Sequence, residues 1–407
     1  MTSPMHVLIA GGGLGGLALA QGLAKEGFTV DVVERDADFN RRQGYYLNIN
    51  GLGGEALRRL LPPDLFELYV DTSRRPYETQ ASIVLNPGLE QLGARPSMGP
   101  PNTGERRHTG VHRRTLRQIL AAGIEDRVRF GVSAVSYDED ADGVTLHLSD
   151  GTSLRGDVLV CADGIRSAVR DQRLPQTEVV STAIKGIDLY GRVPFTPELL
   201  EVVPERLHDG VLIVTDGKAR CLMASYQPRL PVAEGVAKDA PGVALDPVPD
   251  YMMISCSVDP GTVVPPSSEW DETTPALVRD GMLRAVDGWH PAVGALVAGI
   301  DLDSIFSISF SYLEPVEDWA PSRVTVLGDA AHGMLPTLGM GANMALNDAR
   351  LIADRLVDVR EGRLALLDAI GSYEAEMRAE AYPVLRLTVD HDKVFGGGAL
   401  ARAEEEG

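Results

Sequence analysis

The feature that most constrains this chain is a glycine-rich turn near its beginning. An apolar strand pattern, His6–Ala10, runs into glycines at positions 11, 13 and 16, and residues with helical periodicity follow. A second strand pattern, Thr29–Val33, then ends in Glu34. A strand, a helix and a second strand within about thirty residues predict a Rossmann-type βαβ unit, and therefore an α/β fold.

The three glycines and the acidic residue have separate tasks in binding a dinucleotide. The first glycine permits the tight turn, the second lets the backbone approach a pyrophosphate, and the third lets the helix pack closely on the sheet. Glu34, 18 residues after Gly16, is placed to accept hydrogen bonds from the ribose hydroxyls. This unit does not distinguish NAD from FAD. Its candidate cofactor contacts are Gly11, Gly13, Leu14, Gly15, Gly16, Glu34 and Arg35.

Composition and charge exclude several classes of partner. The 407 residues include 58 acidic and 38 basic side chains, a formal charge of −20, which disfavours binding to nucleic acid or to anionic membranes. We find no secretory signal and no apolar run of the roughly 18 residues that a membrane span needs, so we expect a cytoplasmic protein. The three widely spaced cysteines, Cys161, Cys221 and Cys256, predict reduced core thiols rather than a disulfide framework or a metal site.

Two further clusters lead to a family resemblance. One contains Asp163 and Gly164 at the end of a predicted strand, and the other contains Gly328 and Asp329 in the same setting. Together with the first turn, they resemble the group A flavoprotein monooxygenases, the para-hydroxybenzoate hydroxylase family, from His6 to about Arg386. The chain is similar to the compact members of that family, such as the tetracycline-inactivating monooxygenases.

The resemblance assigns flavin contacts around the third cluster. It implies that Asp329 binds the ribityl chain of FAD and that Pro336, Gly339 and Gly341 lie beside the isoalloxazine ring. The following helix, with Ala342 and Asn343 near its start, would direct its N-terminal amides at the ring and stabilise the reduced anionic flavin. Many relatives carry Gln where this chain has Met340.

Other cofactor residues are also carried over from the family. Asp163 and Gly164 belong to a motif tied to the FAD pyrophosphate and to NAD(P)H, and Arg166 could pair with Asp163 or with a phosphate. Arg113 begins an Arg-x-x-Leu helix and is the expected FAD contact there. Arg42, with Arg41 as the alternative, corresponds to a family arginine near the mobile flavin.

The implied architecture is a Rossmann-like FAD-binding domain interleaved with a β-sheet substrate domain and followed by C-terminal helices. We assign 1–75, 105–176 and 311–360 to the FAD-binding domain, and 76–104 and 177–310 to the substrate domain. Residues 361–407 form a C-terminal helix and a frayed tail. The segment 228–249, rich in Pro, Ala, Asp and Gly, is expected to be a mobile excursion, and the last helix is expected to span about 364–379.

The implied activity is that of an FAD-dependent monooxygenase. NADPH or NADH reduces the flavin, O2 forms a C4a-hydroperoxide, and one oxygen atom passes to a small aromatic or polyketide-like substrate of secondary metabolism in a dry pocket. No protein side chain is singled out as catalytic, and the chain would act as a monomer or homodimer. Candidate substrate contacts are Tyr190, Arg192, Met223, Tyr226 and Tyr312.

Four alternatives remain at this stage. The same scaffold could carry out Baeyer–Villiger insertion, epoxidation or oxidative decarboxylation, or it could bind a ligand without catalysis. A flavin halogenase is disfavoured because Trp270, Trp289 and Trp319 are isolated and form no Trp-x-Trp motif. An NAD-dependent dehydrogenase is disfavoured because it leaves Asp329 without a role.

Overall fold

The computed structural model describes residues 5–39, 45–77, 81–96, 110–181, 187–208, 210–258, 275–308 and 310–395. Its strands are β1 (His6–Ala10), β2 (Thr29–Val33), β3 (Tyr46–Asn48), β4 (Ala81–Leu85), β5 (Gln91–Pro96), β6 (Gly110–His112), β7 (Val128–Arg129), β8 (Ala134–Glu139), β9 (Val144–Leu148), β10 (Ser153–Gly156), β11 (Val158–Cys161), β12 (Val179–Ser181), β13 (Ile187–Pro194), β14 (Val211–Thr215), β15 (Arg220–Tyr226), β16 (Tyr251–Val258), β17 (Phe306–Ile308), β18 (Ser311–Leu313) and β19 (Val324–Val326). Its α-helices are α1 (Leu14–Lys25), α2 (Gly51–Leu60), α3 (Pro63–Thr72), α4 (Arg113–Ala121), α5 (Ala168–Arg173), α6 (Pro197–Val202), α7 (Val232–Asp239), α8 (Pro275–Ala285), α9 (Pro291–Ala298), α10 (Asp329–His332), α11 (Gly341–Arg360) and α12 (Leu366–Phe395).

A five-stranded parallel sheet positions all the sequence clusters. Its strand order is β19-β11-β1-β2-β7. The three central strands are almost continuously apolar, as expected for a parallel sheet covered on both faces, and Leu8, Ile9 and Val160 have no exposed surface. Strands β1, β11, β19 and β2 each end immediately before a predicted cofactor cluster. The clusters therefore meet at the carboxyl edge of one sheet, where α/β folds bind ligands.

The second large sheet has seven strands in the order β17-β13-β16-β15-β14-β4-β5. Its side chains alternate between two faces, as the pleat requires. One face packs on α8 and α9 through residues such as Met223, Ile254 and Leu296. The other carries an aromatic cluster that includes Tyr226 and Tyr251. This second face is the one available to cover the cofactor clusters.

The cysteine prediction is wrong for two of the three residues. Cys221 and Cys256 lie directly opposite each other on the antiparallel pair β15 and β16, and the structure joins them in a disulfide. Their separation of 35 residues looked too wide in the sequence, but the hairpin-like return of the chain removes it. Cys161 remains a buried free thiol, and desolvation raises its pKa.

Two predictions about irregular regions also need correction. The Pro-rich segment 228–249 contains helix α7, which packs on α3, where Gly235 approaches Leu68 and Thr72. Helix α12 continues to Phe395, beyond the predicted end at 379. Pro383 removes one helical donor, but the buried residues Ala381, Tyr382 and Leu385 anchor the helix on both sides of it.

The predicted fold class is confirmed by this architecture. The interleaved domain boundaries stay a proposal, although the parallel sheet and the seven-stranded sheet draw their strands from the two predicted sets of segments. The glycine-rich tail after Phe395 lies outside the described residues. None of the helices in the described ranges has the length and apolar character that crossing a bilayer requires.

Candidate cofactor and substrate site

The glycine-rich turn connects β1 to α1 in a conformation that side chains would block. Gly11 has a φ of 110°, and a Cβ there would lie 2.2 Å from the carbonyl oxygen of Ala162. A Cβ at Gly16 would lie 2.0 Å from the Gly11 oxygen. Gly13, by contrast, has no atom within 4 Å of a Cβ position and faces open space. The turn is therefore packed on one side and open on the other.

Glu34 is buried at the end of β2 and is already engaged by the protein. Its Oε2 accepts a hydrogen bond of 2.8 Å from the Gly12 N–H, and its Oε1 accepts one of 2.9 Å from the Asp36 N–H. Arg117 Nη2 lies 3.0 Å from the same Oε2. These contacts fix the carboxylate beside the glycine turn, where the predicted ribose contact would be made. Arg35, the next residue, is exposed.

Sequence reasoning missed Arg117. Its side chain is only 4% exposed, and its Nε donates to the carbonyl oxygen of Gly12 at 2.7 Å. Arg117 lies one helical turn after the predicted Arg113 on α4, so the i, i+4 spacing on one helix face was the available signal. Its partner on β2 could not be identified without the fold.

The Asp163 cluster packs directly against the glycine turn. The Asp163 Oδ1 atom is buried and has no hydrogen-bond partner among the described residues. Desolvation raises the pKa of this carboxyl to about 6. Arg166 is exposed and forms no ion pair with Asp163 in the described chain. The buried cation of this cluster is instead Arg170, which donates to the carbonyl oxygens of Ile165 and Ala330.

Asp329 opens the short helix α10 at the carboxyl edge of the parallel sheet, where the predicted cofactor clusters meet; this edge is called the cleft below. Asp329 is exposed, yet partial desolvation by the surrounding protein raises the pKa of its carboxyl. The charges of His332 and Arg113 oppose this rise. Arg113 and Asp329, predicted separately as FAD contacts, are therefore brought together by the fold.

The segment from Pro336 to Asn343 contains both exposed and fully buried residues. Pro336 and Gly339 are exposed, and Gly339 has a φ of 64°. Asn343 is fully buried: its Nδ2 donates to the carbonyl oxygens of Asn48 and Gly339 and its Oδ1 accepts from the Asn50 N–H. The Asn343 side chain thus holds neighbouring loops together and is not available to a ligand.

Met340, the residue that differs from the family pattern, is buried and does not face the cleft. It is buried with Met344 and Ala381, and its sulfur accepts a hydrogen bond of 3.3 Å from Asn50 Nδ2. Gly341 lies close to Asp329, since a Cβ on it would be 3.9 Å from Asp329 Oδ1. The last two cofactor clusters therefore adjoin each other at the start of α11.

The residues fit a bound FAD on structural grounds. Helices α1 and α11 both begin at the cleft without a side-chain cap, so their first N–H groups are available to an acceptor. Gly13, Gly164 and Gly339 each leave open space where a side chain would be. The unpartnered Asp163 oxygen adds an acceptor for hydroxyl groups. Uncapped amides and free carboxylate oxygens suit a ligand that carries phosphates and sugar hydroxyls.

Aromatic rings on the seven-stranded sheet lie next to this cofactor cradle. The Tyr190 and Phe306 rings are stacked with centroids 5.3 Å apart, and Tyr45 lies 5.8 Å from Tyr190 and 5.5 Å from Phe306. Tyr45 also accepts the backbone hydrogen bond of Arg113 at 2.9 Å. The rings of Tyr45, Tyr190 and Phe306, called the aromatic wall below, are therefore joined to the predicted cofactor contact Arg113 by one backbone hydrogen bond.

The other predicted substrate contacts are distributed differently. Arg192 lies on the aromatic face, with its guanidinium 5.9 Å from the Tyr251 ring, and Tyr226 is buried there with its hydroxyl donating to the Thr72 oxygen. Met223 packs on the opposite face of the sheet against the helices, and its predicted contact with substrate stays a prediction. Tyr312 pairs with β12 in a separate two-stranded sheet. Arg41 and Arg42 lie outside the described residues.

Comparison with protein families supports the cofactor assignment. A family model described as an FAD binding domain matches residues 284–388, and one described as an NAD(P)-binding Rossmann-like domain matches residues 9–41. The first match contains Asp329 and α11, and the second contains the glycine turn and Glu34. The prediction of FAD as the cofactor is confirmed at this level.

The names of two curated relatives describe FAD-dependent oxygenation. A dual O-methyltransferase/FAD-dependent monooxygenase from Cercospora beticola is 29% identical over 98% of this chain, which covers 47% of the relative. An FAD-dependent urate hydroxylase from Klebsiella oxytoca is 28% identical, with 91% of this chain and 85% of the relative aligned. The chain thus spans about half the length of the first of these relatives.

Solved structures share the fold. A Photorhabdus luminescens protein assigned as an FAD-containing monooxygenase superposes with a TM-score of 0.79 at 26% identity, over 96% of this chain and 98% of the other. The tetracycline destructase Tet(51) superposes with a TM-score of 0.63 at 16% identity, over 97% of this chain and 91% of the other. The second likeness concerns the fold alone.

Proposed function

We propose that the chain is an FAD-dependent monooxygenase that transfers one oxygen atom of O2 to an aromatic or polycyclic substrate with NADH or NADPH as reductant. The observation that carries the proposal is the hydrogen bond between Tyr45 and Arg113, which places an aromatic wall beside the cofactor cradle. This adjacency is what oxygen transfer to an aromatic ring requires.

The proposed task of the parallel sheet is to hold the cofactor extended along its carboxyl edge. Glu34 would contact the adenosine ribose, the start of α1 the pyrophosphate, and Asp329 the ribityl hydroxyls. Asp163 and Arg113 complete this set. The bound flavin would supply the electron transfer and the activation of O2. The site therefore needs no protein nucleophile.

The seven-stranded sheet would supply the substrate chamber. Tyr45, Tyr190 and Phe306 present half-buried ring faces, and such faces favour flat aromatic ligands through offset stacking. An apolar wall also excludes water, which keeps the activated oxygen from being lost to side reactions before it reaches the substrate. Arg192, on the same face, is suited to a phenolate or enolate oxygen of the substrate.

The proposal is tested by reconstituting the purified chain with FAD. We expect a yellow protein whose NADH or NADPH oxidation accelerates when a panel of naphthols and hydroxyanthraquinones is supplied, with products heavier by one oxygen atom. Tyr190→Ala should raise KM or abolish coupling to product. Tyr137→Phe, on the separate β8 strand, is the control and should leave KM and the coupling of NAD(P)H oxidation to product unchanged.

Two results would contradict the proposal. A protein that cannot be reconstituted with FAD lacks the assigned cofactor. An FAD-loaded protein that NADH and NADPH fail to reduce, with every aromatic in the panel present, would be a binding protein on the same fold. Product analysis also separates hydroxylation from Baeyer–Villiger insertion and epoxidation.

A further inference from the structure

One carboxylate oxygen clamps both ends of the short helix that carries Asp329. The Oδ2 atom of Asp348 accepts a hydrogen bond of 2.9 Å from the Gly328 N–H, just before α10. The same oxygen lies 2.6 Å from Nε2 of His332, the last residue of α10. The side chains of His332 and Asp348 have no exposed surface. The clamp is therefore shielded from competing water.

This clamp determines where the Asp329 side chain lies. Gly328 has a φ of 61°, so the chain reverses direction at the residue that Asp348 holds, and Asp329 follows at once. Asp348 belongs to α11, whose first residue, Gly341, adjoins Asp329. The clamp thus couples the turn before Asp329 to the helix whose N-terminus faces the cleft.

The electrostatics of the clamp also bear on Asp329. Burial lowers the pKa of His332, but Asp348 and Asp329 more than offset this, so the pKa of the imidazole is raised. The positive charge of His332 in turn opposes the desolvation that raises the pKa of Asp329. The other charged or titratable groups facing this cluster are Arg113 from α4, Arg170 from α5 and Tyr373 from α12.

Stability alone does not account for this pair. Burying two charges costs about as much as their attraction returns, so a well-packed apolar pair of similar volume is often as stable. His332 Nδ1 and Asp348 Oδ1 have no hydrogen-bond partner in the part of the chain that the structure describes. The pair is thus not arranged to satisfy its own hydrogen bonds fully.

We propose that His332 and Asp348 are positioning residues that present Asp329, in its ionised form, to the ribityl hydroxyls of FAD. The inference rests on the proposed function, because it presupposes that Asp329 contacts FAD. Neither residue touches the cofactor: Asp348 sets the backbone before Asp329, and His332 supplies a compensating charge behind it.

The decisive experiment compares FAD affinity with stability in the same variants. The double variant His332→Leu/Asp348→Leu replaces the ion pair by apolar packing but leaves the Gly328 N–H without its acceptor, so its urea midpoint should fall no further than that of a control that also loses one buried hydrogen bond. Its FAD dissociation constant, from quenching of flavin fluorescence, should rise about tenfold or more, because Asp329 loses its fixed position and charge. Thr325→Val is the control: it removes the buried hydrogen bond that Thr325 on β19 donates to Glu374 on α12, and FAD affinity should not change.

A second variant keeps the proposal testable if the double variant fails to fold. In His332→Gln the amide can still donate to Asp348, but the charge is lost. FAD should then be released on acidification at a higher pH than from the parent, because Asp329 binds a proton more readily. If His332 served only to hold α10 in place, the pH at which FAD is released would not shift in His332→Gln.

The outcomes separate the inference from the proposed function. If the parent fails to bind FAD, the proposed function and this inference both fall. If the parent binds FAD and both variants bind it with parental affinity and parental pH dependence, only the positioning role is overturned. Weaker binding in step with lower stability in every variant, the Thr325→Val control included, would also overturn it.

Discussion

Arg117 Nη2 lies 3.0 Å from Glu34 Oε2, and both side chains are more than nine-tenths buried. The ion pair links α4 to the end of β2, and Arg117 also donates to the Gly12 carbonyl within the glycine turn. A second carboxylate, Asp36, lies 3.2 Å from Arg117 Nη1. One guanidinium therefore fixes the residue predicted to bind ribose and the turn predicted to bind the pyrophosphate.

Replacing Arg117 should destabilise the protein and weaken FAD binding together. Arg117→Met leaves Glu34 as a buried carboxylate without its cation, and such a loss costs about 3 kcal/mol in the free energy of unfolding. Urea unfolding of the FAD-free protein measures this loss in the free energy of unfolding. Arg114→Met is the control, because its ion pair with Asp246 is much more accessible, with side chains 31% and 41% exposed, and should contribute less than about 1 kcal/mol. Equal effects of the two substitutions would contradict the assigned role of Arg117.

Asp329 should be required for FAD retention. In Asp329→Asn the side chain keeps its shape but loses its charge, and the FAD dissociation constant should rise by about tenfold to a hundredfold, as expected for a lost charged hydrogen bond. Equilibrium dialysis of the holoprotein measures the change. Asp318→Asn, at a carboxylate that is 85% exposed, serves as the control. Parental affinity in Asp329→Asn would refute the ribityl contact.

Asp163 should make the stability of the FAD-free protein depend on pH. Its pKa is raised from an ordinary value of 3.8 to about 6 by desolvation, so between these values the folded state binds more protons than the unfolded chain. The free energy of unfolding contributed by this group therefore falls as the pH rises from about 4 to 6. Asp163→Asn should stabilise the protein at pH 7, and its advantage should vanish near pH 4.

Urea unfolding at several pH values checks this sign. The informative quantity is the difference between Asp163→Asn and the parent, because the other titrating groups cancel in it. A difference that stays constant from pH 4 to 7 would show that Asp163 titrates normally. A difference that grows as the pH falls would show that its carboxylate is stabilised in the folded state.

The disulfide predicts a thiol count. In denaturant without reductant, a thiol reagent should titrate one group per chain, Cys161, because Cys221 and Cys256 are joined. Cys161→Ala should reduce this count to none. Three reactive thiols in the parent would restore the original expectation of three reduced cysteines.

The sequence predicts the parallel sheet and its clusters because their signals are local. Gly11, Asp163 and Asp329 each follow an apolar strand, and parallel strands bring such ends to one edge. The Glu34–Arg117 and His332–Asp348 pairs carry no comparable signal. The two residues of each pair belong to no common motif and meet only through the packing of the folded chain. The sequence therefore does not reveal that they are in contact.

The same reasoning applies to the second sheet. Alternation along β15 divides its residues into two faces, but period 2 alone does not reveal which face meets the cofactor. Met223 is among the predicted substrate contacts, and in the structure it packs against α8 and α9. The disulfide was missed for a related reason, since the register of β15 on β16 is a tertiary property.

Adjacent residues on β15 should therefore respond in opposite ways. Leu222 lies on the aromatic face with Tyr190, whereas Met223 is fully buried on the helical face. Met223→Ala should leave a cavity that costs about 2 to 5 kcal/mol in the free energy of unfolding, without changing KM for an aromatic substrate. Leu222→Ala should change KM or the coupling of NAD(P)H oxidation to product, at a smaller cost in stability because the side chain is only partly buried. If Met223→Ala alters KM while Leu222→Ala does not, the substrate lies on the other side of the sheet and the proposed chamber is misplaced.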